Sequence, residues 1–209
     1  MVLVLTHNVA EHEPFAIERQ RVPAAEVIVN ASPKGFGANH NSAFARCRTP
    51  FFCVANPDVR LAGDPFPVLL SALTDERVAV AGPLVRAPDG GVEDSARRFP
   101  TPGTLVSKLF GGRRGPDYPI NRGNVPVDWI AGMFMLFRSE AFAAIRGFDE
   151  RYFLYYEDAD ICRRLRAAER EVLYVPAAEV VHDARRASRR NPRLALHHAA
   201  SAWRFIRGL

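Results

Sequence analysis

No uncharged apolar run in this chain approaches the roughly 20 residues that a membrane-spanning helix needs. The first residues lack the basic flank and the small-residue cleavage site of a secretory signal. Cysteine is scarce. Cys47, Cys53 and Cys162 are odd in number and none stands in Cys-x-x-Cys spacing, which argues against a disulfide framework or a zinc knuckle. Cys53 and Cys162 fall in apolar periodic segments and read as small buried hydrophobes, as expected in a reducing cytoplasm. Internal repeats, a compositional linker, and zinc-finger or helix-turn-helix signatures are all missing. What is there is a chain of 209 residues, 48% of them hydrophobic, enough to build one domain around a sizeable core.

The formal charge is +5 and the sequence pI about 9.5, a surface that attracts phosphates, nucleic acid or anionic headgroups without choosing between them. The positive charge gathers in Lys108–Arg114 and in Asp183–Arg193. Neither segment is interleaved with aromatics as in single-strand binders, so no nucleic-acid partner is expected. Each reads either as a solvated basic face or as an anion-binding surface.

Short apolar runs punctuated by turn residues set the order of elements. Val2–Leu5 and Ala25–Asn30 read as buried strands, with a weakly helical stretch between them interrupted by Pro14 and Pro23. A glycine-containing turn leads into a helix over Ala38–Cys47, and a strongly apolar strand then stops at Asn56-Pro57-Asp58. Asp64–Glu76 reads as a helix with Asp64 as N-cap and Pro65 in its first turn. Another buried strand follows, then Arg86–Pro126, rich in Gly, Pro and Arg and too long for an ordinary connection. Trp129–Phe137 is strand-like, and a short helix capped by Ser139 closes at Gly147. The Glu157 segment opens a further helix. Two short strands come next, and a last helix starts with Asn191 as cap and Pro192 in its first turn. Strand and helix in alternation predict an α/β domain with a parallel, doubly wound sheet and a site at the carboxyl ends of its strands.

Four places carry chemistry-bearing side chains. Asp58 stands where an apolar strand ends and offers hard oxygen ligands to a divalent metal; Asn-Pro-Asp is equally a common turn sequence. His182 lies just past another apolar strand, as a satisfied polar residue or a metal ligand. Lys34–Asn41 brings glycines, a lysine and amides to a helix start whose N–H groups suit a phosphate or a nucleobase edge. Glu157, Asp158 and Asp160 crowd four positions, as helix-starting residues or as a proton acceptor.

In this order, the segments around Lys34–Asn41, Asn56–Asp58, Trp129–Arg166 and Glu179–Asp183 closely resemble the rhamnosyltransferase-like branch of the family-two glycosyltransferases. Gly147–Leu165 is the most specific part, and the resemblance runs from about Glu26 to Asp183. It implies a single GT-A nucleotide-diphospho-sugar transferase domain with a mostly parallel central sheet flanked by helices. Within residues 1–209 it implies a nucleotide- and metal-binding half (1–85), a loop-rich segment (86–126), an acceptor and catalytic half (127–190) and a C-terminal amphipathic helix (191–209). The implied reaction is inverting, metal-dependent transfer of a sugar, rhamnose foremost, from a nucleoside-diphosphate donor to an acceptor hydroxyl. The setting would be cell-surface polysaccharide or glycolipid synthesis, with a saccharide or lipid-linked acceptor.

By that resemblance Asp158 is the general base and Glu157 positions the base or the acceptor. Asp58 and His182 hold Mg²⁺ or Mn²⁺. Thr6, Asn8, Asn30, Lys34, Gly35, Phe36, Asn39, Asn56 and Asp58 line the donor side, and Asp128, Trp129 and Gly132 the acceptor side. The chemistry suits these residue types. A divalent cation and basic side chains neutralise a departing diphosphate, and a single displacement needs one carboxylate and no enzyme nucleophile.

The front end departs from the family pattern. Thr6-His7-Asn8 matches the first strand's end, or else the second's with the first lost. The strand ending at Asn30 runs almost directly into the Gly-Phe turn, and Asn30 stands near where an aspartate usually grips the nucleotide. Three other readings follow: a degenerate nucleotide- or anion-binding protein of the same fold, a sugar-phosphate nucleotidyltransferase, and a non-catalytic binding protein whose basic segments hold nucleic acid or a membrane. The sequence after Leu5 argues against the second, because it lacks that class's Gly-rich basic loop. The last helix presents Leu194, Ala195, His198, Ala202, Phe205 and Ile206 on one apolar-leaning face. That face either packs onto the domain or lies peripherally on the inner face of a membrane.

Overall fold

The computed structural model describes residues 2–9, 25–101, 103–104, 115–120, 123–183 and 192–208. The weakly helical stretch after Asn8, the Asn191 cap, Lys108–Arg114 and most of Asp183–Arg193 lie outside them.

The chain opens with β1 (Val4–His7) and β2 (Glu26–Val29), which pair in parallel as a two-stranded sheet. Helix α1 (Phe36–Phe44) follows β2 after six residues, so the strand does run directly into the Gly-Phe turn. The central sheet has the order β3-β10-β5-β11-β4. Its strands are β3 (Phe51–Ala55), β4 (Val59–Arg60), β5 (Val78–Arg86), β10 (Phe134–Arg138) and β11 (Glu171–His182). Two-residue strands complete the set: β6 (Val92–Glu93) on β5, β8 (Val125–Pro126) on β11, and β7 (Ala96–Arg97) paired with β9 (Trp129–Ile130). The remaining helices are α2 (Phe66–Ala72), α3 (Ser139–Ala144), α4 (Glu157–Ala167) and α5 (Pro192–Arg207).

The expected mostly parallel sheet is in fact mixed. β5 and β11 pair in parallel over their length, but β10 is antiparallel to both β3 and β5, and β4 is antiparallel to β11. The apolar runs are buried on both faces, and such runs look alike whichever way they point. Successive side chains divide between two cores. Met135 and Phe137 of β10 join α1, α3 and α4 on one face, while Phe134 and Leu136 join Leu69 and Leu73 beside α2 on the other.

Several local expectations change. The two short final strands are one strand, β11, with a register shift between Val175 and Glu179 where Pro176 has no N–H to give. The predicted strand over Trp129–Phe137 breaks into β9 and β10 around Gly132 and Met133. Ser139 does not cap α3, since its backbone N–H goes to the Pro50 carbonyl and Arg138 holds the cap position. Asp64 accepts the Phe66 N–H at 3.0 Å, but Pro65 takes the cap position of α2. Gly147 does close α3, at φ 66°, where a Cβ would sit 2.4 Å from the Asn41 side chain. The stretch from Arg86 to Pro126 is not structureless: β6, β7 and β8 lie within it.

Candidate active site

The site forms where several chain reversals meet at one end of the sheet. Gly132 and Met133, between β9 and β10, are the common point. The Gly132 N–H donates to Asp158 Oδ2 at 2.9 Å, and the Met133 carbonyl accepts the Asn56 N–H at 3.0 Å. One turn thus joins the carboxylate at the start of α4 to the Asn-Pro-Asp turn after β3. Phe36 closes the space beside Gly132, where a Cβ would come within 3.1 Å of its ring. Gly35 lies so close to the Phe153 backbone that a Cβ would stand 2.6 Å from that carbonyl oxygen. The Phe36 N–H donates to the same oxygen at 2.9 Å, so the first N–H of α1 is not free for a phosphate.

The entry to α4 is unusual. Tyr155 and Tyr156 both adopt left-handed backbone conformations, φ 70° and 68°, which cost roughly 1–2 kcal/mol each for a residue with a Cβ. This sharp entry sets Glu157 and Asp158 at the helix start without any side-chain cap. Asp158 is partly accessible, and its other oxygen accepts the Ala159 N–H at 2.8 Å. Burial raises its pKa, opposed by these N–H groups and by the Arg97 charge. Glu157 is 5% exposed, and its Oε2 has no hydrogen-bond partner. Burial, and then the neighbouring Asp158 charge, push its pKa up to about 8, so it stays protonated at neutral pH. Asp160, expected to serve the helix start, instead accepts Arg163 at 2.9 Å and Arg164 at 2.7 Å. Those arginines go on to donate to the carbonyls of Phe205, Ile145 and Gly147.

Asp58 and His182 come together through the antiparallel pairing of β4 with β11, in which His182 stands opposite Val59. His182 Nε2 lies 3.3 Å from Asp58 Oδ1, an oxygen that is buried and without a hydrogen-bond partner. On the other side of the ring, Nδ1 lies 2.7 Å from Glu93 Oε2. Among the described residues no group of three or more His, Cys, Asp and Glu forms a closed metal cage. An orphaned carboxylate oxygen facing an imidazole nitrogen nevertheless fits a hard divalent cation that takes its remaining ligands from phosphate oxygens and water.

Among the residues expected to line the donor side, three amides interlock. The backbone of Lys34 fixes Asn8: its N–H donates to Asn8 Oδ1 at 2.7 Å, and its carbonyl accepts from Asn8 Nδ2 at 2.9 Å. The Asn30 atom facing Asn8 Oδ1 is therefore the amide nitrogen, at 3.0 Å, and the same nitrogen donates to Asn39 Oδ1 at 2.7 Å. An aspartate at position 30 has no proton for either bond, which gives the Asn for Asp departure a structural reason. Thr6 lies in β1 opposite Ile28, and the Lys34 side chain is exposed. Of the residues expected on the acceptor side, Asp128 accepts the Phe99 N–H at 3.0 Å. Trp129 is buried, with its Nε1 donating to the Arg98 carbonyl at 3.0 Å. Both brace the loop, and the Arg97 guanidinium lies over the Trp129 ring, 5.0 Å from its centroid.

Glu93 and Arg97 were not singled out from the sequence. The signal for Glu93 was the Asp89-Gly90-Gly91 turn after a long apolar strand, which folds β6 back on β5 as a hairpin.

The profile of the family described as "Glycosyltransferase like family 2" matches residues 1–198. An N-acetylglucosaminyl-diphospho-decaprenol L-rhamnosyltransferase of Mycobacterium tuberculosis is 34% identical over 208 residues, covering 87% of this chain and 67% of the relative. Rhamnosyltransferase WbbL of Escherichia coli is 31% identical over 166 residues, covering 71% of this chain and 60% of the relative. Among solved structures, GalNAc-T7 with UDP, GalNAc and Mn²⁺ superposes with a TM-score of 0.66 at 14% identity, over 87% of this chain and 37% of that one. The fold is GT-A, α/β with a mixed central sheet flanked by helices.

Proposed function

The chain belongs to glycosyltransferase like family 2, and on that premise we propose that it transfers a sugar, rhamnose foremost, from a nucleoside diphosphate to an acceptor hydroxyl with inversion. The acceptor class we infer is a saccharide carried on a lipid diphosphate, in cell-wall polysaccharide synthesis, as the name of the mycobacterial relative suggests. The observation that carries this reading is the turn at Gly132 and Met133, which ties Asp158 and the Asn56–Asp58 segment to one short stretch of chain.

Asp158 is the general base. The Gly132 N–H aims its Oδ2, and the raised pKa brings its basicity closer to that needed for a hydroxyl proton. Glu157, protonated, cannot compete for that proton and keeps a second negative charge out of the pocket. Asp58 and His182 are the residues that hold a divalent cation, Mg²⁺ or Mn²⁺, which when bound neutralises charge on the departing diphosphate. Arg97 adds positive charge beside Asp158. Asn8, Asn30 and Asn39 form the donor wall, with Thr6, Lys34, Gly35, Phe36 and Asn56; Asp128, Trp129 and Gly132 support the acceptor side. No helix among the described residues is long and apolar enough to cross a membrane. A lipid-linked acceptor is met instead by peripheral contact through α5, on the cytoplasmic face.

The test is calorimetric titration of dTDP, UDP and GDP with and without Mn²⁺, followed by transfer to a short-chain N-acetylglucosaminyl-diphospho-lipid. Wild type binds one nucleotide in a metal-dependent way and Asp58→Ala loses that binding. Asp158→Asn keeps it while transfer falls about 10²–10⁴-fold. Failure of wild type to bind any of the three would sink the transferase reading of this site.

A further inference from the structure

We propose that Glu93 is a positioning residue for the cation site: it holds His182 in the tautomer and orientation that offer an Nε2 lone pair towards Asp58. This rests on the cation-site reading above and adds a residue to it.

Glu93 Oε2 is 2.7 Å from His182 Nδ1, a charge-assisted hydrogen-bond distance when Nδ1 carries the proton. A carboxylate has no proton to donate, so this contact puts a proton on Nδ1, and whenever the ring carries that one proton alone its lone pair is on Nε2. Nε2 then faces Asp58 Oδ1 at 3.3 Å, lone pair towards lone pair, and that oxygen has no hydrogen-bond partner. Two buried acceptors turned towards each other without a proton between them repel, and the repulsion ends when a cation enters. His182 is 8% exposed, so water relieves little of it.

The hairpin explains how Glu93 reaches this place. β6 pairs with β5 with Glu93 opposite Val85, and Val85 is in turn opposite Val180 of β11, two residues before His182. Glu93 therefore comes from a segment that contacts neither the Asn-Pro-Asp turn nor α4 in sequence, yet it shares a sheet edge with the site. Ligating histidines commonly give their second ring N–H to such a carboxylate, and loss of the partner typically weakens metal affinity 10–100-fold.

Two readouts independent of turnover test this. In a Mn²⁺ titration followed by the electron paramagnetic signal of the free ion, with saturating UDP or dTDP, Glu93→Ala weakens Mn²⁺ binding 10–100-fold. Glu93→Gln, whose amide oxygen still accepts from Nδ1–H, weakens it less. In the metal-free protein, ¹⁵N-detected imidazole spectra, with the signal identified by its absence in His182→Ala, show His182 protonated on Nδ1. In Glu93→Ala they show a mixture of tautomers. Wild-type affinity in Glu93→Ala, or a His182 ring in the wild type with Nε2 protonated and Nδ1 bare, overturns the proposal while leaving the transferase reading intact. Absence of Mn²⁺ binding in the wild type overturns both. Should Glu93→Ala fold poorly, Glu93→Gln and the wild-type tautomer still decide.

Discussion

At the scale of single residues, adjacent carboxylates at one helix start have been given different jobs by their surroundings. Asp158 keeps two backbone N–H donors and partial access to solvent, whereas Glu157 has burial and an unpartnered oxygen. Environments that push neighbouring pKa values apart are what assigns acid and base roles. A stability measurement follows with a definite sign. In the folded protein Glu157 keeps its proton up to about pH 8, against the ordinary carboxyl value of 4.5 in the unfolded chain. Between those values the folded state binds the extra proton, so the contribution of Glu157 to stability is full below the lower value and declines as pH rises, by at most about 1.4 kcal/mol per pH unit. Glu157→Gln, which has no proton to lose, should flatten the fall in melting temperature between pH 5 and pH 8. An unchanged slope would mean that Glu157 is ionised at neutral pH.

At the scale of elements, α5 departs most from its amphipathic reading. The expected face is partly right: Phe205 is buried against the domain, its ring 5.7 Å from that of Tyr156, and Arg163 donates to its carbonyl. His198, though exposed, sets its ring 5.2 Å from that of Tyr155 and 5.3 Å from that of Tyr156, whereas Ile206 and Ala195 are exposed. Helical spacing sets Leu196, Ala199, Ala200 and Trp203 on the side opposite Ser201 and Phe205. Leu196 is 71% and Trp203 56% exposed, and the Arg207 guanidinium lies 4.0 Å from the centroid of the Trp203 ring. An outward apolar stripe edged by arginine suits an anionic bilayer surface. Sedimentation with vesicles of phosphatidylglycerol and phosphatidylcholine should therefore carry the protein down, less so at high salt. The double variant Leu196→Ser, Trp203→Ser should lose about tenfold in partitioning without a change in melting temperature. Equal binding to purely zwitterionic vesicles, or full binding by the double variant, would remove the membrane from the account.

At the scale of the molecule, a cluster of aromatic rings bridges the parts expected to form a donor half and an acceptor half. Phe44 of α1 and Phe52 of β3 come from the first; Phe137, Phe142 and Phe148 come from the second. Phe142 lies within 4.5–5.5 Å of the other four ring centroids. Rings shared between the two halves lead us to expect that they unfold together. Urea unfolding followed by tryptophan fluorescence and by far-ultraviolet dichroism should give coincident transitions, and Phe142→Ala should lower stability by about 3–5 kcal/mol in a single step. Two separated transitions would divide the chain into two domains.

What the sequence determined by itself were the elements and the chemically marked residues. Apolar runs ended by Asn, Pro, Asp and Gly are strands and turns wherever they lie, and Asp58, Asp158 and His182 stand in the short contiguous strings that carry the family resemblance. What only the tertiary structure decided was adjacency and direction. A strand buried on both faces reads the same forwards and backwards, so the antiparallel placement of β10 is a matter of packing and not of pattern. Asp160 and Glu157 look alike in the sequence. One is neutralised by two arginines and the other by a proton, because their helical positions turn them towards different neighbours. Glu93 sits in a stretch without periodicity, and it meets His182, 89 positions away, only because a glycine hairpin lays β6 along the edge of β5.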